Sequence, residues 1–427
     1  MARRCGVAAF AMAVLLVGAP VAPAQAAPAS DWPQVRFDGG RSAHNSLERR
    51  LRPATVDRLR LAWSRQIRPT TSFVYEYVAD VAIVRDGRVF AEWAGSEAFH
   101  VLAAYEETSG RRLWQIRTRT WRVPIAASGS VLLTSAGDSI RAFDAATGAL
   151  RWRRPASVPL VADRTVRRVI VFERVGTAGL LSSVVAATGE GAWARRLRPR
   201  GGRYAPVLVA GGLVIVPIAT GHGSRLTALR LGDGSTAWSM RSRGAPTSAA
   251  DGRLFLRRPV PRAPHLRMLV ALDLRSGRRL WKIRAREAAV VAAGGGRVFL
   301  DRAICVRSCE SDSTQVYRGG VVALDAGSGV EVWRRLGDET RGRPVWQADA
   351  LARGLLFVHR MAAGGPDAIG ALAVATGRLR WSVEVGGPQT STVVDAVANG
   401  AVFAGTRFGT RGGRIERFVL TARRAAS

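Results

Sequence analysis

Arginines and aromatic rings carry most of the chemistry this chain offers. The run Arg195, Arg196, Arg198, Arg200 and Arg203, extended by Gly201-Gly202, is the densest cationic stretch. Guanidinium groups so gathered suit an anionic contact. Elsewhere flat or polar side chains stand together: Tyr75 and Tyr77 around Glu76, Trp121-Arg122, Arg203-Tyr204, Trp346-Gln347, and Gln389 by itself. Such groups stack on and hydrogen-bond planar or anionic ligands. Histidines 44, 100, 222, 265 and 359 are scattered with no metal-ligand spacing, and no serine or cysteine has a recognisable activating partner. The sequence therefore assigns neither a catalytic residue nor a metal ligand.

The elements that must position these residues repeat. Seven times a glycine is followed four residues later by a tryptophan, from Gly110/Trp114 through Gly148/Trp152, Gly189/Trp193, Gly234/Trp238, Gly277/Trp281 and Gly329/Trp333 to Gly377/Trp381. Trp63 stands in the same local context, LRLAW, without the glycine. The interval averages about 45 residues, the length of one four-stranded propeller blade. One unit reads VPIAAS, VLLTSA, IRAFDAATG and ALRWRR between glycine-containing breaks, a meander of four short antiparallel strands.

After Trp381 only three more strands follow, 392–398, 401–406 and 414–420. An orphan fourth strand around Trp63 (58–66) lies at the other end. Pairing the two completes a last blade and removes the open edges of the array. The expected fold is all-β: an eight-bladed propeller of four-stranded antiparallel blades, the last closed by an N-terminal strand.

By the repeat phase, the loops entering each innermost strand surround one mouth of the central channel. They hold Tyr75, Tyr77, Trp121, Arg122, Arg203, Tyr204, Trp346, Gln347 and Gln389, which makes that mouth the expected binding site.

Residues 2–26 read as a secretory signal, with Arg3 and Arg4, an apolar run, and Ala24-Gln25-Ala26 as the cleavage site. Residues 27–57 then form an extended leader and 58–427 the propeller. Export leaves Cys305 and Cys309, expected as a disulfide across the short loop CVRSC. The net charge is +32, and only one of the 64 basic residues is a lysine. A field of that sign attracts anionic polymers, although export argues against nucleic acid as the partner.

The copies AFDAATGALRW, ALDLRSGRRLW, ALDAGSGVEVW and ALAVATGRLRW resemble the tryptophan-docking repeat of the quinoprotein-like (PQQ-repeat) eight-bladed propellers, and the opening DWPQVRFDGGRSAHNS resembles the Asp-Trp-Pro leader of that family. The resemblance implies one of two functions. The first is a secreted binding or scaffold propeller without a cofactor, a monomer whose partner is a protein or an anionic envelope polymer. The alternative is a PQQ-dependent alcohol or sugar dehydrogenase holding quinone over calcium. The enzymes carry adjacent cysteines and long chamber-building insertions, and this chain has neither.

Overall fold

The computed structural model describes residues 30–67, 80–96, 99–118, 123–136, 138–156, 161–175, 178–197, 207–220, 223–242, 244–260, 263–286, 289–307, 316–361, 366–387, 390–407 and 413–421. They form eight sheets, each built on an antiparallel four-stranded meander, and the leader's short strand His44–Asn45 adds in parallel to Leu351–Ala352 of one of them. Blade 1 is Asp80–Arg85, Arg88–Ser96, Phe99–Glu106 and Arg112–Thr118. Blades 2 to 7 follow the same plan, with first strands Val123–Ala127, Val161–Ala162, Leu208–Ala210, Ala245–Ala250, Ala289–Gly294 and Val345–Ala352. The first strand of every blade touches the first strand of the next, and that of blade 8 returns to blade 1. The ring is closed.

Blade 8 is built from both ends of the chain. Ser391–Ala398, Ala401–Arg407 and Gly413–Leu420 are completed by Leu59–Ile67, whose register runs from Leu59 opposite Leu420 to Ile67 opposite Gly413. Blade 6 departs from the plan by a short strand, Ile304–Arg307, between its second and third strands. Cys305 lies on it, and Cys309 falls outside the described residues, as does the expected signal segment.

The repeated motif works across blades. Trp63, Trp114, Trp152, Trp193, Trp238, Trp281 and Trp333 each donate Nε1–H to a backbone carbonyl of the following blade at 2.7–3.1 Å. Each acceptor lies three residues before the motif glycine of that blade. Each glycine has φ between +65° and +79°, and a Cβ there would come within 2.6–2.9 Å of the preceding blade's indole. The glycine is thus required twice, by its backbone and by the ring lying against it. In all eight blades the residue before the tryptophan is a bulge in the outer strand. A bulge adds local twist and re-aims the side chain.

Three arginines extend the docking. Arg65 Nε, Arg154 Nη1 and Arg195 Nη1, each two residues after a docking tryptophan, donate at 2.7 Å to the carbonyls of Gly110, Gly189 and Gly234.

Replacing Gly234, which lies against Trp193 at 2.8 Å, is expected to cost more than replacing Gly212, which has φ +75° and nothing within 4 Å. Gly212→Ala carries the backbone strain alone, about 1 kcal/mol. Gly234→Ala must also displace a docked indole, raising the loss to about 3 kcal/mol. Urea unfolding of the two variants measures the difference, and equal midpoints would contradict the docking role.

Candidate functional site

The leader decides which end of the channel is usable. Its backbone passes beneath the inner strands and bonds to the blades in their order round the ring. It starts at blade 8, where Ser30 and Asn399 exchange hydrogen bonds. Trp32 pairs with Val84 of blade 1 through two backbone bonds, and Pro33 O accepts from Ala127 of blade 2. Gln34 Nε2 donates to Asp163 O of blade 3 at 3.2 Å. The carbonyls of Gly39, Gly40, Ser42 and Ala43 then accept from Val209, Ala249, Ala293 and Leu351 of blades 4 to 7. Asn45 Nδ2 completes the circuit at Val397 O of blade 8, 2.8 Å away.

These contacts lie at the C-terminal ends of the inner strands. The leader therefore floors the channel at one end; at the other mouth, where the inner strands begin, no comparable cover is found among the described residues. Fitting so close to eight strands requires small residues. A Cβ at Gly39 would sit 2.2 Å from Ala162 O, and one at Gly40 2.4 Å from Ala249 O.

At the end where the inner strands begin, blades 6, 7 and 8 gather ionisable groups that are far apart in sequence. Asp349 is the bulge residue of blade 7's inner strand. Both of its carboxylate oxygens lie 2.9 Å from His359 Nδ1 on the second strand, and Oδ2 also accepts the Val394 N–H of blade 8 at 3.1 Å. Asp301, at the end of blade 6's second strand, is pushed up to about 6 chiefly by burial. Asp367 is likewise raised by burial, and its Oδ2 accepts the Thr390 hydroxyl at 3.0 Å. A buried chain continues from Thr392 through Thr406 to Glu416, which Arg414 pairs at 3.2 Å. On blade 1, the next blade round the ring from blade 8, Glu92, 5% exposed, faces His100 at 3.4 Å. Glu92, Asp301 and His359 share one structural position, each pairing with the inner-strand residue two before the bulge.

The sequence alone did not point to the Asp349–His359 pair, which the structure brings together. Asp349 and His359 are ten residues apart, a separation without meaning in a helix or a metal motif. They meet because the bulge turns Asp349 toward the second strand of its own hairpin. The alternating pattern of QADALARGLLFVHR, in which two polar residues fall within a buried hairpin, was the available signal.

Most residues expected at the mouth lie outside the described residues: Tyr75, Tyr77, Trp121, Arg122, Arg203, Tyr204 and Gln389, together with Arg198 and Arg200 of the cationic run. Gln347 lies at the end where the inner strands begin, paired in register with His359. Trp346 is buried in the core, 4% exposed, with its Nε1 lacking a partner among the described residues. Arg196 is exposed on the outer strand of blade 3. Arg195, expected as an anionic contact, also makes a link within the ring. Its guanidinium is engaged by Gly234 O and by Thr236 Oγ1 at 3.1 Å, so it joins two blades.

Burial by itself pushes an imidazole down. At His359 the charges of Asp349, Asp301 and Asp367 outweigh it, and the group ends above its ordinary value. A base raised in this way adds stability that is fully present below about pH 6.5 and is lost as pH climbs through the shifted value. Asp349→Asn removes the nearest of these charges and leaves burial in command. The His359 ring, followed by NMR, should then titrate below 6.5. An unchanged titration would show that Asp349 does not hold the proton.

The sequence matches the family of the outer membrane protein assembly factor BamB over residues 98–263 and 224–412. A search of curated proteins finds no match. Among solved structures, the fold is similar to the quinohemoprotein alcohol dehydrogenase of Comamonas testosteroni, with TM-score 0.58, 15% identity, and coverage of 93% of this chain and 82% of that one. It is also similar to quinohemoprotein alcohol dehydrogenase ADHIIG of Pseudomonas putida HK5 (0.57, 13%, 93% and 81%) and to a europium-containing methanol dehydrogenase (0.55, 13%, 91% and 98%). Identities this low carry the architecture and nothing finer. With the motif match spanning well over half its length, the chain belongs to the PQQ-repeat β-propeller family of the outer membrane protein assembly factor BamB.

Proposed function

We propose that this protein is an exported binding propeller without catalysis of its own, taking its ligand or protein partner at the mouth of the channel opposite the leader. The observation that carries this reading is the floored channel. One mouth is sealed by the leader, and the titratable side chains of blades 6 to 8 collect at the other. Polar and ionisable groups gathered at one end of a channel are suited to orienting a ligand or docking a partner. The family's namesake is an assembly factor, which favours a protein partner. Among the described residues no helix is long and apolar enough to cross a membrane. Export would also oxidise Cys305 and Cys309 to a disulfide.

The quinone alternative meets a chemical obstacle at this mouth. Calcium takes six to eight oxygen ligands. Among the described residues no three His, Cys, Asp or Glu side chains are arranged to share a cation. Asp349 is occupied by His359 and a backbone amide, and Asp367 by Thr390. The described residues do not fit a calcium–quinone pair.

Mature protein mixed with pyrroloquinoline quinone and calcium should retain no chromophore after gel filtration and show no dye-linked oxidation of alcohols or sugars. A retained chromophore with turnover would replace this reading by the dehydrogenase one. Heparin should bind through the general positive field and be released at moderate salt. Arg196→Glu should weaken that binding slightly, and salt-resistant binding would mean a specific polymer site.

A further inference from the structure

In blades 5 to 8 the hairpin between the first and second strands is one and the same two-residue turn. Its central pairs are Asp251-Gly252, Gly295-Gly296, Arg353-Gly354 and Asn399-Gly400, all with positive φ. The central amides of such a turn take no part in the strand ladder. In two of these hairpins the glycine amide is met by a carboxylate from next door. Gly296 N donates to Asp251 Oδ2 of the preceding blade at 3.0 Å, and Gly400 N to Glu48 Oε2 of the leader at 2.8 Å. Between blades 6 and 7 the carboxylate is missing. Blade 6 carries Gly295 where blade 5 carries Asp251, and Gly354 N has no partner among the described residues.

The gap is a cleft of about 260 Å³ at the leader's end of the ring. Gly295, Arg353 and Gly354 border it from the two turns, Leu351 adds an apolar surface, and His44 and Arg49 come from the leader. All of its lining belongs to the described part of the chain. Neither Arg49 nor Arg353 has a hydrogen-bond or ion-pair partner for its guanidinium among the described residues. Glu48 also lines the cleft, but its oxygens are already taken by Ser30 Oγ, Gly400 N, Arg50 N and Leu51 N. Arg353 stands at φ +37°, in a turn position that favours Asn, Asp or Gly. The fold does not need an arginine there, since blades 5 and 8 make the same turn with Asp251 and Asn399. A side chain kept against its backbone preference beside an unpartnered amide points to a role in binding.

The ring thus supplies its own templates for the missing group. At Gly296 and Gly400 it is a carboxylate on a short aliphatic stem. Two flanking guanidinium groups strengthen the same preference, since charge-assisted hydrogen bonds to carboxylates are the strong ones. The volume is below that of drug-sized pockets and suits a short acid or a single side chain. We propose that the cleft between blades 6 and 7 is a carboxylate-binding site, in which Gly354 N–H takes an oxygen and Arg49 and Arg353 supply the charge. Its ligand is a short aliphatic acid group, borne by a small molecule or by an acidic side chain of a protein partner. The site lies at the floored end and goes beyond the reading given for the other mouth.

The test follows backbone amides of the mature protein by NMR during titration with sodium propanoate or with a capped peptide holding a single aspartate. Sodium chloride of equal ionic strength is the control. The Gly354 amide should move saturably with the acid and not with chloride. Propanoate binding at least as tightly as the peptide marks a small acid, and tighter binding of the peptide marks an acidic side chain of a partner. Either supports the site. Arg353→Asn, which the turn accepts as it does Asn399, should weaken binding about tenfold. Gly295→Asp should abolish it, because a resident carboxylate then fills the gap as Asp251 does next door. A Cβ at Gly295 meets nothing within 4 Å, so the fold has room for that change. Arg196→Gln on the outer strand should leave binding unchanged. The proposal is overturned if neither acid moves the Gly354 amide beyond chloride, or if Arg353→Asn and Gly295→Asp bind as tightly as the parent protein. The chromophore and heparin experiments do not involve this cleft, so failure of the other mouth as a docking site would be read separately.

Discussion

An indole ring laid against a glycine of the next blade is the contact on which the rest of this molecule depends. Each motif faces two ways. Its glycine receives the ring from behind, and its tryptophan docks ahead, with the indole N–H tied to a carbonyl beside the next glycine. Burying a ring of this size removes roughly 150–250 Å² from water. The hydrogen bond adds direction to a force that otherwise has none. Because every blade is wedged between two others, the angle between blades is set locally and repeated until the ring meets itself.

The exception proves informative. Trp63 has no motif glycine because its strand follows no turn from a third strand of its own. Leu59 stands at the corresponding place, and the turn that would receive Trp381 is replaced by a junction of two distant segments, where Thr421 N and Oγ1 both donate to Arg58 O. Trp381 meets Phe418 edge-on at 5.9 Å instead. The missing glycine marks the seam.

The fold was readable because it rests on local rules repeated eight times. Period, turn glycine and wedge all show in the residue string, and the boundaries of blade 8 fell within a residue or so of Ser391–Ala398, Ala401–Arg407 and Gly413–Leu420. The tie of Arg195 to the next blade was not legible because an arginine two places beyond a tryptophan looks the same whether it faces solvent or a neighbouring carbonyl. The Asp349–His359 pair was missed because a bulge, invisible in composition, decides where Asp349 points. The leader's course was equally hidden. Its own carbonyls accept from backbone amides of seven different blades, and backbone groups leave no trace in side-chain identity. Only Gly39-Gly40 hinted that something passes close by.

The circuit of the leader also bears on how the chain is made. The leader and Leu59–Ile67 leave the ribosome before any blade exists, while Gly413–Leu420, to which Leu59–Ile67 pairs, is synthesised last. Through nearly the whole of elongation the nascent polypeptide must keep a polar, glycine-containing tail uncommitted, with the sheet edges on either side of the seam unpaired. A chain arrested in its seventh blade would own most of its wedges and still lack both its seam and the last of the eight supports beneath its floor. Such a product is curved, open and sticky at two ends, an evident substrate for chaperones or proteases.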